Sequence, residues 1–192
     1  MTSQEITDTY IRMGGLLKGH FLLSSGLHSD TYLQSEKVMM FPDVAAQIVL
    51  PLVNKLKDVE AATIISPAIG GIRFGYELAR QLNKCSLFTE RVDGIMDLRR
   101  GFKLTPGEKV IIAEDVVTTG KSTKECMDVI MRYGGIAAAV ACIIDRSGGN
   151  AEFDLPFIPL VKIGVQSWTA EGCPICKTGD KPVKPGSRKE TD

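Results

Sequence analysis

The sequence predicts an α/β protein in which a parallel sheet is flanked by helices and carries a small N-terminal ribbon. Four β-branched or apolar runs recur at residues 62–66, 85–89, 110–113 and 137–144, with helical periodicity between them, which is the rhythm of βαβ units. Residues 21–34 stand outside that rhythm as two short strands around Ser25-Gly26, an antiparallel hairpin. A length of 192 residues with 44% hydrophobic content suits one domain with a proper core.

The elements follow in order. Residues 1–40 form a hood element, 41–165 the core and 166–192 a C-terminal tail. Residues 1–10 are polar and acidic rather than basic then apolar, unlike a secretory signal. Residues 42–56 line up Val44, Ala45, Ile48, Leu52 and Leu56 as a helix, in which Pro51 predicts a kink. Residues 71–81 place Ile72, Gly75, Leu78 and Ala79 against an outer face of Arg73, Glu77 and Arg80, a crossover helix. Residues 91–106 are the longest polar segment between core strands, the usual mark of a lid or binding loop. Residues 122–133 carry Cys126, Val129, Ile130 and Tyr133 on one face and stop at Gly134-Gly135. Beyond residue 150 the regular pattern is lost, and residues 184–192 read as a frayed charged end.

Twenty-three basic residues balance 23 acidic ones, so no global field exists to hold nucleic acid. Apolar runs such as 136–144 fall far short of the roughly 20 residues that cross a membrane. Five scattered cysteines, an odd number, point to a reducing cytoplasm rather than a disulfide scaffold.

The chemistry concentrates in residues 110–123, VIIAEDVVTTGKST. In a parallel sheet, ligands bind where strands end and helices begin. A helix starting near Lys121 offers unpaired N–H groups, and Thr118, Thr119, Ser122 and Thr123 add hydroxyls, which together make a monophosphate cup. A nucleotide-triphosphate loop would need glycine where Asp115 stands, and a dinucleotide fingerprint would need glycine in place of Ile72. Glu114 and Asp115 can accept hydrogen bonds from a vicinal diol, or hold Mg2+ that touches sugar oxygens. Diol plus phosphate implies a ribose 5-phosphate. The plainer reading is that the two acids cap the next helix, but adjacent carboxylates at a strand end repel without a ligand or cation.

The run Glu-Asp-Val-Val-Thr-Thr-Gly-Lys-Ser at 114–122 resembles the phosphoribosyl pyrophosphate signature of type I phosphoribosyltransferases. The ribbon FLLSSGLHSDTY at 21–32, the basic stretch LRRGF at 98–102 and Asp145-Arg146 are similar to the shorter orotate phosphoribosyltransferases, in the family's order. The resemblance implies transfer of ribose 5-phosphate from phosphoribosyl pyrophosphate to orotate, with Mg2+ carried by that substrate, in a homodimer whose mobile loop crosses to the neighbouring site. It implies that Glu114 and Asp115 take the ribose hydroxyls and the developing positive charge, and that Val116, Val117, Thr118, Thr119, Gly120, Lys121 and Ser122 wrap the 5-phosphate. The turn at 66–71, with Ile69 and Gly70, corresponds to the family's pyrophosphate loop. Arg146, Thr118, Tyr32 and Ser24 fall at positions that meet orotate, although Tyr32 could equally pack the ribbon onto the core.

Longer members of the family carry lysines in the ribbon and pyrophosphate loop, and a lysine and a histidine in the mobile loop; here Ser24, Ile69-Gly70 and the stretch 91–103 stand there. The cationic roles then fall to Arg91 as pyrophosphate ligand, Arg99 and Arg100 closing over the leaving group, and Lys103 as proton donor. The same fold acting on a purine base, or a regulator that only senses phosphoribosyl pyrophosphate, are the rival readings. Finally, Cys173-Pro-Ile-Cys176 has the spacing of half a zinc site. No second pair follows and His20 and His28 are remote in sequence, so a tail turn with two thiols is the expected reading.

Overall fold

The computed structural model describes residues 1–23 and 26–185, so Ser24 and the end of the charged tail lie outside the described residues. The chain opens with helix α1 (Ser3–Arg12), followed by strands β1 (Leu16–Leu22) and β2 (His28–Leu33), the short helix α2 (Glu36–Met39) and helix α3 (Pro42–Leu56). There follow β3 (Thr63–Pro67), α4 (Gly71–Leu82), β4 (Cys85–Val92), β5 (Ile95–Asp97), β6 (Lys109–Val117), α5 (Lys121–Arg132), β7 (Ile136–Asp145), β8 (Phe157–Lys162) and β9 (Ser167–Trp168).

All four expected core strands and all three expected helices form. They build a six-stranded sheet in the order β5-β4-β3-β6-β7-β8, parallel except where β5 folds back antiparallel on β4. Helix α3 runs through Pro51 as one element. Its buried Ile48, Val49 and Leu52 join Phe74 and Leu78 of α4 and Ile64 and Ile111 of the sheet in one core. Cys126, Val129 and Ile130 of α5 pack with Ile65, Ile112 and Val140 in another cluster. Among the described residues no helix is long and apolar enough to cross a membrane.

Three segments to which the sequence assigns no helix or strand carry regular structure. Thr2 and Glu5 form a reciprocal capping box that starts α1, whose Ile6 and Tyr10 are buried one turn apart. The polar stretch 91–106 carries β5 and is pinned by buried Met96, Leu98 and Leu104. After residue 150, β8 extends the parallel sheet beside β7, and β9 pairs with β2 as the third strand of a separate sheet, order β1-β2-β9. This small sheet is the expected ribbon, longer than residues 21–34 because β1 begins at Leu16.

Helix α4 approaches β3 so closely that only glycine fits at position 75, where an added Cβ would overlap the Ser66 hydroxyl and come within 3.1 Å of Ser66 Cβ. Gly75→Ala is therefore expected to destabilise the protein by about 1–3 kcal/mol, the usual cost of overpacking. Most of that loss should return with Ser66→Ala in the same chain, measured by denaturant unfolding of the single and double variants.

Candidate functional site

The carboxyl ends of β3, β4, β6 and β7 form one edge of the sheet, and the loops leaving them meet there. Strand β6 continues to Val117, beyond the predicted end at residue 113, so Glu114 and Asp115 belong to the strand. Successive strand side chains point to opposite faces, and these two diverge accordingly. The Glu114 carboxylate accepts a hydrogen bond from Thr123 of α5. Asp115 lies against Gly70, where an added Cβ would stand 2.8 Å from Asp115 Oδ1, and receives a hydrogen bond from the Ser35 hydroxyl. The adjacent acids thus avoid close repulsion by facing opposite sides.

Burial pushes the Glu114 carboxyl up to about 7, with the Thr123 hydrogen bond opposing the shift and the Asp115 charge adding to it. Burial likewise raises Asp115, assisted by the charge of Glu36 and opposed by Ser35. Carboxyls raised by folding favour the folded state while protonated, so their contribution is fully present below the ordinary carboxylate range and is lost as pH rises through about 7. The unliganded protein is expected to lose stability over that window, and Glu114→Gln should flatten the slope in denaturant titrations at about pH 5 and about pH 8. An unchanged slope would show that Glu114 does not titrate there.

Beyond β6, Thr118 and Thr119 are exposed and Gly120 turns the chain in the left-handed conformation, φ 72°, into α5. Gly120 is required twice over, because a Cβ would also stand 3.0 Å from the Phe153 ring. The N-cap Gly120 offers no side chain, and although the Lys121 N–H donates to Thr119 Oγ1 at 3.3 Å, the following first-turn amides face the edge of the sheet beside the Ser122 hydroxyl. Lys121 is the first residue of the helix and remains exposed.

The pyrophosphate-loop candidates Ile69 and Gly70 connect β3 to α4 across a cis Ala68–Ile69 peptide, with Ile69 exposed. Arg91, at the end of β4, donates to Ser122 Oγ at 3.4 Å and pairs with Glu125 of α5. It is therefore held on the phosphate-cup side of the sheet.

Arg146 follows β7, and its backbone N–H donates to the Val117 carbonyl at 2.8 Å. Its half-buried guanidinium reaches across to the ribbon and donates to Ser29 Oγ at 3.2 Å, while Asp30 supplies a nearby negative charge. The ribbon thus closes over the edge of the core at Arg146. Tyr32 donates through its hydroxyl to the Pro185 carbonyl at 3.1 Å and lies 5.7 Å from the Phe21 ring. Glu36 acts electrostatically on both Tyr32 and Asp115, which places the three in one neighbourhood.

The basic segment is not brought together with this edge as a whole. Arg100 makes a two-pronged contact with Glu90, both arms at 3.0 Å, and its guanidinium lies over the Phe88 ring. Arg99 is exposed beside it. Lys103 borders an open recess of about 580 Å3 with Ala62, Thr63 and Cys85, at the start of β3 and β4 and so at the opposite end of the sheet from Asp115.

Two participants escaped the sequence reading. Ser35 links the ribbon to Asp115, and the buried Tyr10 hydroxyl donates to Ser35 Oγ at 3.3 Å, giving a chain from α1 to the carboxylate. The capping box at residues 2–5 signals α1, but nothing local announces that Tyr10 and Ser35 meet Asp115.

Comparisons with known proteins agree with this architecture. Residues 43–170 match the model of the phosphoribosyl transferase domain. The chain is 50% identical over 192 residues to the orotate phosphoribosyltransferase of Acidithiobacillus ferrooxidans, covering 98% of both chains. It is 48% identical over 187 residues to that of Caldicellulosiruptor bescii, covering 95% of this chain and 98% of the relative. Among solved structures, orotate phosphoribosyltransferase from Aeropyrum pernix superposes with a TM-score of 0.67 at 21% identity, covering 82% of this chain and 93% of that one, a shared fold. With a domain match across two thirds of its length and relatives half identical from end to end, the chain belongs to the phosphoribosyl transferase family, among the orotate phosphoribosyltransferases.

Proposed function

We propose that this protein transfers ribose 5-phosphate from phosphoribosyl pyrophosphate to N1 of orotate, yielding orotidine 5'-phosphate and pyrophosphate in de novo pyrimidine synthesis. The observation that carries the reading is the convergence, at one sheet edge, of two strand-borne carboxylates, a helix N-terminus and an arginine roofed by the ribbon. These suit a sugar diol, a 5-phosphate and a flat carboxylated base respectively.

In this reading Val116 to Ser122 enclose the 5-phosphate through backbone N–H groups and hydroxyls, with Lys121 adding charge at the rim. Glu114 and Asp115 hold the ribose hydroxyls from either side of β6 and stabilise the positive charge that develops at C1 as the bond to pyrophosphate lengthens. The Tyr10–Ser35 chain keeps the Asp115 carboxylate oriented. Arg146 grips the orotate carboxylate as a fork, Thr118 meets the other edge of the base, and Tyr32, tethered through Pro185, offers its ring as a stacking face. Ser24 belongs to the same wall by sequence position but lies outside the described residues.

The donor set also fits Mg2+, a hard cation that takes carboxylate and phosphate oxygens, because the bare Cα of Gly70 leaves the Asp115 carboxylate open on that side. Carried in with phosphoribosyl pyrophosphate and held through Glu114 and Asp115, the ion would neutralise charge on the leaving pyrophosphate. Ile69 and Gly70 receive that group from the β3 side. Arg91 meets it by exchanging its Glu125 partner for phosphate oxygens. Arg99 and Arg100 screen the leaving group, and Lys103 protonates it from a neighbouring subunit, a role its position at the far end of its own sheet requires. A cytoplasmic homodimer follows from this reading, with five free thiols in keeping with a reducing compartment.

The assay is direct. Protein, Mg2+, phosphoribosyl pyrophosphate and orotate should yield orotidine 5'-phosphate and pyrophosphate in equal amounts, and chelation of Mg2+ should stop it. Binding of phosphoribosyl pyrophosphate without turnover of any base would instead make the protein a sensor.

A further inference from the structure

We propose that His20, His28, Cys173 and Cys176 bind one structural zinc ion that clamps the C-terminal segment onto the N-terminal ribbon. The residues come from three places in the chain. His20 lies in β1 and His28 opens β2, where it faces Leu22 across the hairpin, while the two cysteines flank the Pro174-Ile175 turn of the tail. Nothing local in the sequence unites them, because His28 and Cys173 stand 145 positions apart.

The geometry is that of a four-ligand cage. His20 Nε2 stands 3.0 Å from His28 Nδ1, 3.4 Å from Cys173 Sγ and 3.7 Å from Cys176 Sγ, and His28 Nδ1 lies 3.2 Å from Cys176 Sγ. All four ligand atoms fall within 4.8 Å of one another. Zinc bonds of about 2.0–2.1 Å to nitrogen and about 2.3 Å to sulfur in a tetrahedron require ligand separations of about 3.3–3.8 Å, so the cage needs only small adjustments. His20 Nδ1 is 3.0 Å from the Asp180 carbonyl, to which its N–H donates, and this leaves the Nε2 lone pair directed into the cage. A backbone carbonyl behind a ligating imidazole is the customary outer partner in metal sites.

Burial and charge point the same way. His20, His28 and Cys173 are buried, and between residues 162 and 185 Cys173 is the sole buried side chain. That stretch has no apolar core of its own, and its regular structure is two residues of β9, one short 3-10 turn and an isolated bridge at Val183. A metal clip is the common means of fixing such a segment. Two thiolates balance the charge of Zn2+, so the filled cage is neutral, and binding releases two thiol protons to solvent. All four positions are protein ligands, so the ion has no open site for substrate and is structural. Just beyond the cage, Val183 exchanges 2.8 Å backbone hydrogen bonds with Leu22 and His20, and Pro185 receives the Tyr32 hydroxyl.

The test is elemental analysis of the full-length protein purified under reducing conditions without chelator, expected to show about one zinc per chain. Co2+ added to stripped, reduced protein should give the visible absorption of a tetrahedral thiolate site, saturating at one equivalent. Cys173→Ser with Cys176→Ser should lose metal to a trace and speed tryptic cleavage after Lys177, the lysine of this stretch not followed by proline, severalfold. His28→Cys should keep the metal with a shifted Co2+ spectrum, which a merely structural histidine would not do. Protein that carries no zinc and takes up no Co2+, or a Cys173–Cys176 disulfide in its place, overturns the proposal. If the double variant does not fold, the Co2+ titration of the unaltered chain decides. None of these readouts involves turnover of orotate, so the zinc site and the activity stand or fall separately.

Discussion

Asp115→Asn is expected to lower kcat about a hundredfold or more, with a far smaller change in the KM for phosphoribosyl pyrophosphate. Asparagine keeps the shape and can still accept a ribose hydroxyl and the Ser35 hydrogen bond, but it removes the negative charge. That charge matters most where positive charge develops at C1, which happens in the transition state and not in the bound substrate. Asp115 is only partly exposed, so water replaces the lost carboxylate poorly. Single-turnover rates of the variant, with thermal unfolding as control, check this. A normal kcat would remove Asp115 from the reaction.

Arg146→Ala has its main effect on the base. A half-buried guanidinium paired with a carboxylate contributes about 2–4 kcal/mol on truncation, so the KM for orotate should rise by about 30- to 1,000-fold. Values for phosphoribosyl pyrophosphate should move little, because the Val117–Arg146 link runs through the backbone and survives the substitution. Arg146→Lys should recover only a small part, since an ammonium cannot reproduce the planar fork. Steady-state kinetics with each substrate varied in turn distinguish this from a general loss of fold. Equal losses for both substrates would mean that Arg146 supports the ribbon through Ser29 rather than holding orotate.

In the proposed reading the two effects differ because the residues serve different ends of the ligand; the sugar-phosphate end was legible in residues 110–123 before any geometry, whereas the base end needed the ribbon and Arg146 as well. Local signals suffice there: apolar strand, acids, hydroxyls, glycine and helix follow one another in the order that a strand-to-helix edge imposes. The same holds for α5, and for α4 except at Glu77, expected on the outer face but buried there, where its carboxylate accepts hydrogen bonds from Arg80 and Gln81.

What escaped was either short or non-local. Strand β8 has six residues and contains Pro159, too little to register as a run. The direction taken by residues 91–106 depends on Met96 and Leu98 entering the core, so mixed charge alone could not reveal that Lys103 ends at the far edge of the sheet. Tyr10, Ser35 and Asp115 meet only when α1, the ribbon and β6 have packed. The metal cage is the extreme case, because Cys-x2-Cys is visible in the tail whereas its histidines sit on the opposite side of the sequence.

The orotate assignment is tested most directly by base competition. With phosphoribosyl pyrophosphate and Mg2+ supplied, and orotate, adenine and hypoxanthine present in equal amounts, orotidine 5'-phosphate should be the sole nucleotide formed. Formation of a purine nucleotide while orotate remains unconsumed would contradict the account.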